Sequence, residues 1–235
     1  MNLITHKELV HISKKFNLGF SLEFIDIESL KLTNHHHPFS LTQEEAYIIY
    51  NLLLKNNAKN VFEIATAFGI SSIVMGQALS NTQGKLVTID AYIEEHFNHS
   101  MGYSPDFKFV KDKEDADGYL MAKSLVNNLN LNDRIILEIG WSPDDIPAIY
   151  KNNFQNQKLD ILFLDGGHSE KQIYLDITHM MRYLDIESII FFHDHHCVGK
   201  DTKRFLLENG FNQFKLYKTE FDLAAYARGN KIINL

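Results

Sequence analysis

Acidic and histidine side chains stand where apolar runs of the sequence end. Asp90 ends one run, Asp165 and His168 follow another, and His193 and Asp194 follow a further one. A carboxylate accepts hydrogen bonds from hydroxyl groups and binds hard cations, and histidine as a residue type exchanges a proton near neutral pH. These residue types predict ligand binding combined with proton transfer, provided that the fold brings the ends of the runs together.

A short turn precedes the strand that ends in Asp90, and the two are predicted to lie together in the fold. Residues 61–72 have the pattern of a strand, a tight turn of small residues and the start of a helix. In an open α/β sheet, such a turn lies at the carboxyl end of a central strand, where backbone N–H groups face a ligand. The next strand, 85–90, completes a βαβ unit and ends in Asp90. This position predicts a carboxylate that holds ribose hydroxyls, and a helix-capping or solvated Asp90 is the alternative.

Strands and helices alternate along the rest of the chain, which is typical of an α/β domain. Apolar runs predict further strands over 134–139, 159–165, 188–192, 212–217 and 221–228. Helical spacing predicts helices over 43–55, 69–79, 118–129, 169–184 and 202–209, and Ser142 with Pro143 predicts the N-cap and first residue of one more. With 235 residues, the chain is long enough for one core domain, which we place at residues 41–235 after an N-terminal helical extension, residues 1–40.

Composition and charge exclude several classes of function. A net charge of −7 with scattered basic residues argues against a nucleic acid or an anionic membrane surface as the partner. The single Cys197 excludes an intramolecular disulfide and a cysteine-based zinc site, and a small packed residue is preferred to a reactive thiol. No signal-peptide pattern and no apolar run of about 20 residues is present, so we expect a cytoplasmic protein.

Two irregular stretches are predicted to lie near the ligand site. The extension 1–40 ends in the run His35–Pro38, which is interpreted as a solvated loop, with a lid over the cleft as the alternative. Residues 91–118 predict a substrate-facing loop above the carboxyl edge of the sheet, whose charged run forms a solvated face.

Four features in a fixed order carry a family resemblance. They are Glu63–Ser71, Asp165–Ser169, the pair His193-Asp194 and two closing strands. In this order they resemble the class I S-adenosylmethionine-dependent methyltransferases of the small-molecule O-methyltransferase type, over about residues 43–231. Ala65 stands where this family has the first glycine of its first motif. The methyl group of Ala65 leaves less space between the backbone and a ligand. We therefore expect the methionine end of the cofactor to be shifted slightly and cofactor binding to be retained.

The resemblance implies both a fold and a cofactor site. The implied fold is a Rossmann-like, doubly wound, mixed sheet of seven strands whose last strand is antiparallel. S-adenosylmethionine would lie across the ends of the first two strands, with its methionine part at the first turn, its ribose at Asp90 and its adenine near Trp141 and Ser142. For Trp141, core packing is an equal alternative. The implied cofactor-binding residues are Glu63, Ala65, Thr66, Gly69, Ser71, Asp90, Trp141, Ser142 and Asp165.

The resemblance also implies a reactive centre at the fourth and fifth strands. Its catalytic residues would be His168, Asp165 and Asp194, with His168 as the general base. A His168 that only fixes the turn is the alternative, and His195 or His196 could serve instead. Two adjacent carboxylates favour a divalent metal, Mg²⁺ or Mn²⁺, held by Asp165, His193 and Asp194. Metal-dependent relatives have an acidic residue at position 193, so the imidazole there weakens the metal prediction or favours a softer ion.

The predicted function is methyl transfer from S-adenosylmethionine to a hydroxyl group of a small-molecule acceptor such as a sugar. Methyl transfer to nitrogen and a non-catalytic cofactor-binding module stay open as alternatives. A nicotinamide dehydrogenase would explain the βαβ unit, but the turn lacks the Gly-x-Gly-x-x-Gly pattern. The expected partner is the small-molecule acceptor, without nucleic acid or membrane, and a homo-oligomer stays open.

Overall fold

The computed structural model describes residues 41, 43–92, 117–219 and 222–228. The predicted extension 1–40 and nearly all of the predicted loop 91–118 lie outside the described residues, so the lid and the substrate-facing loop stay predictions. The domain boundary near residue 41 also stays a prediction. In the part of the chain that the structure describes, no helix is both long and apolar enough to cross a membrane.

One sheet of seven strands forms the centre of the fold, in the order β3-β2-β1-β4-β5-β7-β6. The strands are β1 Asn60–Ile64, β2 Lys85–Asp90, β3 Ile135–Ile139, β4 Leu159–Leu164, β5 Leu184–Phe192, β6 Phe211–Tyr217 and β7 Leu223–Arg228. Strand β7 pairs antiparallel with β5 and β6, and the other pairs are parallel. The predicted mixed sheet with an antiparallel last strand is confirmed.

Helices cover both faces of the sheet. The described α-helices are α1 Gln43–Lys55, α2 Ile70–Thr82, α3 Asp117–Asn128, α4 Ile146–Phe154, α5 Glu170–Met180 and α6 Lys200–Glu208. Apolar residues of α1, α2 and α3 pack in one core, and those of α4, α5 and α6 pack in a second core on the other face. Successive strand residues such as Leu162 and Phe163 enter opposite cores, because side chains alternate along a strand. The arrangement confirms the predicted doubly wound, Rossmann-like architecture.

The boundary between α5 and β5 differs from the prediction. The predicted helix over 169–184 was too long: α5 ends at Met180, a 3₁₀ turn covers Met181–Tyr183, and β5 begins at Leu184. Leu184 continues the apolar stripe of the helix by its spacing, but it pairs with Leu159 of β4 and is buried there. The pairing with a strand therefore overrides a local helical pattern.

The start of α4 was also predicted wrongly. The N-cap is Asp145, and the helix begins at Ile146, so Ser142 and Pro143 lie in the preceding turn. The Ser142 hydroxyl donates instead to Asp176 of α5, at 2.5 Å. A tertiary hydrogen bond has replaced the local cap that the sequence suggested.

The turn between β1 and α2 has a left-handed backbone. Ala65 has φ of 80°, Ala67 has φ of 46° and Gly69 has φ of 80°. For L-residues other than glycine this region costs about 1–2 kcal/mol. Ala65 occupies the family's glycine position and keeps a glycine-like backbone, so the turn is strained.

We expect A65G to raise the free energy of unfolding by about 0.5–1 kcal/mol. Relief of the left-handed strain at Ala65 exceeds the greater entropy of glycine in the unfolded chain. Denaturant unfolding measures the change. The matched control is A78G, within α2, where glycine lowers helix stability and opens space in a buried position. A65G destabilising the protein as A78G does would contradict the strain argument.

Candidate active site

The ends of β4 and β5 bring three predicted site residues together. Leu164 and Phe192 are paired in the sheet, and the chain then continues to Asp165 on one strand and to His193 and Asp194 on the other. The His193 backbone N–H donates to the Leu164 carbonyl at 3.0 Å, which holds the strands in register one step beyond the ladder. Adjacent parallel strands place their carboxyl ends at the same edge. The carboxyl ends of β4 and β5, with Asp165, His168, His193 and Asp194, are called the reactive edge below.

His193 bridges the carboxylates of the reactive edge. Its Nδ1 lies 2.7 Å from Asp165 Oδ1 and 3.1 Å from Asp194 Oδ2, and its Nε2 lies 3.3 Å from Glu45 Oε2. Burial alone lowers the pKa of His193, but the charge of Asp165 and the hydrogen bonds to the carboxylates raise that pKa well above its ordinary value. We infer an imidazolium that donates from both ring nitrogens.

Glu45 is a residue of this group that sequence reasoning missed. It lies in the first turn of α1 and its side chain is completely buried. Its Oε1 accepts a hydrogen bond from the Thr219 hydroxyl at 2.5 Å, and its Oε2 faces His193. The sequence offered only an acidic residue in a helical first turn, which is an ordinary stabilising pattern. A separation of 148 residues from His193 hides the contact from any local analysis.

His168 stands at the solvent side of the reactive edge. Its side chain is 48% exposed, and its Nε2 lies 3.5 Å from Asp194 Oδ2. Asp165, His168 and Asp194 each offer a ligand atom, and these atoms lie within 4.8 Å of one another. Two carboxylates with one imidazole form a donor set that fits a divalent cation. His193, which the sequence suggested as a ligand, instead contacts both carboxylates through one nitrogen.

The two alternative histidines differ in their surroundings. His195 is buried, and its Nε2 lies 2.8 Å from the Tyr226 hydroxyl. Burial is the main cause that lowers the pKa of His195 to about 4. His196 is exposed beside it. His195 therefore packs against β7, whereas His196 remains accessible to solvent.

Glu63 connects β1 to the start of α2. Its carboxyl group is completely buried and accepts hydrogen bonds from the hydroxyls of Ser71, at 2.5 Å, and of Ser72. Burial raises the pKa of Glu63 to about 7, against the hydrogen bonds from the serines. Glu63 and Ser71, both predicted at the cofactor site, therefore contact each other, and Ser72 is a partner that the sequence did not single out.

We expect the free energy of unfolding to fall as the pH rises from about 4.5 to about 7, and E63Q to remove this contribution. Glu63 keeps its proton up to about pH 7 in the folded state and loses it from 4.5 upward in the unfolded state, so deprotonation favours unfolding in that window. At about 1.4 kcal/mol for each pH unit, the contribution is about 3 kcal/mol. Urea unfolding at pH 5 and pH 8 measures it.

The control for this pH effect is E208Q, which changes an exposed glutamate of α6. Its pH dependence of stability should match that of the wild type. Equal pH dependence in the wild type and E63Q would exclude a raised pKa at Glu63.

Asp90 joins the end of β2 to the turn after β1. Its Oδ2 accepts the Ala67 backbone N–H and its Oδ1 accepts the Tyr92 backbone N–H, both at 2.8 Å. The neighbouring hydroxyls of Thr66 and Thr88 are 2.7 Å apart. Asp90 is only partly buried. Two backbone N–H donors therefore fix the orientation of this carboxylate at the carboxyl end of β2.

A hydrogen-bonded clamp holds the turn after β3. Asp176, buried on α5, accepts the Ser142 hydroxyl and, at 2.9 Å, the Gln172 amide. The same amide donates to the Ser142 carbonyl at 3.0 Å. The neighbouring Trp141 is partly buried, and its backbone N–H donates to Asp145 at 2.7 Å. Sequence reasoning predicted Ser142 at the site but missed Asp176 and Gln172, which supply no motif of their own.

A small recess opens beside the reactive edge. It is lined by Leu164, Gly166, His168, Ile173, Asp176, Phe192, His193 and Asp194. A Cβ atom at Gly166 would lie 3.1 Å from Ile64 Cγ2, so a larger residue would crowd this wall.

Comparisons with known proteins agree with this geometry. Residues 62–195 match a family model described as a methyltransferase domain, which spans more than half of the 235 residues. No curated protein sequence gives a significant match. The matched residues include the last three residues of β1, the first turn and the reactive edge.

Solved structures share the fold at low sequence identity. One is the O-methyltransferase TomG from Streptomyces achromogenes, involved in tomaymycin synthesis and solved in complex with SAM. It is 14% identical, with 95% of this chain and 89% of that chain covered and a TM-score of 0.60. A second is a Bacillus cereus O-methyltransferase in complex with SAH, which is 14% identical, with 95% of this chain and 100% of that chain covered and a TM-score of 0.60. A third is a putative caffeoyl-CoA O-methyltransferase from Staphylococcus aureus, which is 14% identical, with 95% of this chain and 99% of that chain covered and a TM-score of 0.61.

The predicted resemblance to the class I methyltransferases is confirmed by the family match and by the shared fold. The first turn and the paired ends of β4 and β5 lie within the matched part of the chain. The chain belongs to the methyltransferase-domain family and is a methyltransferase of the Rossmann-like fold.

Proposed function

We propose that this methyltransferase transfers a methyl group from S-adenosylmethionine to a hydroxyl group of a small molecule. The observation that carries the proposal is the reactive edge, where Asp165, His168 and Asp194 meet. This edge follows β4, which pairs with β1, and the turn after β1 is the one that Asp90 binds. Three similar structures are described as O-methyltransferases, and two of them contain SAM or SAH. Their shared fold supports the choice of cofactor.

The residues around the first turn fit an adenosyl cofactor. The oriented carboxylate of Asp90 would accept the ribose hydroxyls, and the strained turn of Ala65, Thr66 and Gly69 would lie beside the methionine part. Ser142, held by Asp176, would lie with Trp141 beside the adenine. The hydrogen bond from Ser71 to Glu63 would hold the end of β1 against the start of α2 and so stabilise the turn between them. The cofactor itself supplies an activated methyl group.

The reactive edge has the groups that a hydroxyl acceptor requires. We assign His168 as the general base, because its ring is accessible from solvent and its Nε2 faces the Asp194 carboxylate. Asp194 would orient the ring, and the imidazolium of His193 would hold Asp165 and Asp194 in place. Transfer then requires an acceptor hydroxyl near His168 and in line with the methyl group. A sugar or another polyol suits an edge so rich in carboxylates.

A divalent cation is the second part of the proposal. Asp165, His168 and Asp194 would hold it, with Mg²⁺ favoured by the carboxylate oxygens and Mn²⁺ by the imidazole. The cation would supply charge for orienting an acceptor hydroxyl. His168 serves either as a base or as a metal ligand, so metal dependence decides between these two roles.

Isothermal titration with S-adenosylhomocysteine tests the cofactor, with NADH as the control ligand. We expect binding of the first and none of the second. Incubation with a labelled methyl donor and separate pools of sugars, catechols and amines then tests the acceptor, with and without EDTA. Failure to bind both S-adenosylhomocysteine and S-adenosylmethionine would contradict the proposal, and labelling only in the amine pool would move the reaction to nitrogen.

A further inference from the structure

We propose that Glu45 is a positioning residue of the reactive edge. It holds the ring of His193, and that ring in turn fixes the carboxylates of Asp165 and Asp194. The inference rests on the proposed function only for its effect on turnover, because the coupling itself is a property of the folded protein. It makes the helix before the first strand a part of the site.

The first step is the burial of Glu45. Its side chain is completely buried, between His193 Nε2 at 3.3 Å from Oε2 and the Thr219 hydroxyl at 2.5 Å from Oε1. A buried carboxylate is costly unless its oxygens are hydrogen-bonded or paired with a positive charge. Both of its oxygens have such a partner. The position of Glu45 is therefore tightly determined.

The second step is the geometry of the imidazole ring. Because the ring is planar and rigid, fixing one nitrogen fixes the direction in which the other nitrogen donates. His193 Nδ1 is 2.7 Å from Asp165 Oδ1 and 3.1 Å from Asp194 Oδ2. Glu45 thus acts on both carboxylates through one ring. At metal sites, the loss of partners that orient the ligands in this way typically changes metal affinity or activity by about 10–100-fold.

The third step concerns the segments that are joined. Glu45 belongs to α1, His193 follows β5, and Thr219 precedes β7, where its hydroxyl also accepts the Leu223 backbone N–H at 3.2 Å. The hydrogen bonds of Glu45 span 148 and 174 residues of sequence. A chain of hydrogen bonds therefore runs from the loop before β7, through α1, to the reactive edge. A role in stability alone would explain the burial but not a coupling to Asp165.

Nuclear magnetic resonance of the histidine ring N–H groups tests the coupling without donor, acceptor or metal. H193N assigns the His193 signals by their disappearance. We expect a His193 Nδ1–H signal that exchanges slowly with solvent in the wild type. It should shift and exchange faster in E45A, although Glu45 Oε2 faces the opposite nitrogen, Nε2. E45Q, whose amide oxygen still accepts from Nε2, should restore most of the signal.

The matched control is S188A. Ser188 is a buried residue in the middle of β5, where its hydroxyl donates to the Leu159 carbonyl at 2.6 Å and accepts the Asp185 backbone N–H. S188A should destabilise the fold and leave the His193 signal unchanged. T219V, which removes the other partner of Glu45, is a milder second variant should E45A fail to fold, and it should shift the signal in the same direction.

In the methyl-transfer assay, we expect E45A to lower kcat about 10-fold or more and to change the donor KM less than about twofold. E45Q should recover most of the rate. An unchanged Nδ1–H signal in both E45A and T219V would overturn the inference even if methyl transfer is established. A shifted signal in a protein that does not bind S-adenosylhomocysteine would leave the coupling intact and reject only the proposed function.

Discussion

Methyl transfer in H168A is expected to be about 10²–10⁴-fold slower than in the wild type, with an affinity for S-adenosylhomocysteine within about twofold. His168 is the accessible histidine whose ring faces Asp194, and its removal takes away the proton acceptor without touching the turn at Asp90. The measurement is turnover of a labelled methyl donor with an acceptor found by screening, together with calorimetric binding. The loss should appear in kcat and not in donor binding.

Two further variants separate the possible roles of His168. H196A removes a neighbouring exposed histidine and should retain activity; a large loss there with an active H168A would move the base to His196. H168N keeps hydrogen-bonding groups but cannot act as a base. An active H168N would reject the proposed base in favour of a role in holding the turn or a cation.

Binding of S-adenosylhomocysteine should weaken about 100-fold or more in D90A. Asp90 would accept both ribose hydroxyls, and a hydrogen bond to a charged group contributes about 1.5–3 kcal/mol. Two such bonds correspond to at least a 100-fold change in Kd, since about 1.4 kcal/mol is a factor of ten. The same substitution frees the Ala67 and Tyr92 backbone N–H groups, so the turn also loses its link to β2. Isothermal titration measures the change.

The matched control for D90A is D160A. Asp160 also accepts two backbone N–H groups, from Lys59 at 2.7 Å and Asn60 at 2.9 Å. It lies near the amino ends of β4 and β1, far from the carboxyl ends where Asp90 lies. D160A should therefore remove the acceptor of two backbone N–H groups, as D90A does, and leave the affinity for S-adenosylhomocysteine unchanged. Equal affinities of D90A and the wild type would place the ribose elsewhere.

Much of the fold could be predicted because its signals are local. Strands such as β4 are mostly apolar, as expected for parallel strands that are buried on both faces. Errors arose where a local pattern competed with a tertiary partner. Leu184 fits the stripe of α5 but pairs with Leu159, and Ser142 fits a helix cap but binds Asp176.

The candidate site divides in the same way. The sequence by itself determined which polar residues follow the strands, and parallel strands necessarily carry such residues to one edge, so Asp90, Asp165, His168 and Asp194 could be placed in advance. Residue type and strand position are properties of short segments, and they are sufficient for that inference.

Only the tertiary structure decided which side chains hold that edge in place. Glu45 and His193 meet across 148 residues, and Ser142 and Asp176 meet across 34. Sequence spacing carries no information on such contacts, because each depends on how helices pack against the sheet. The packing also determined that His193 bridges two carboxylates and that His168 completes the donor group. A buried charge takes whichever partner the completed core places beside it, and no local pattern specifies that partner.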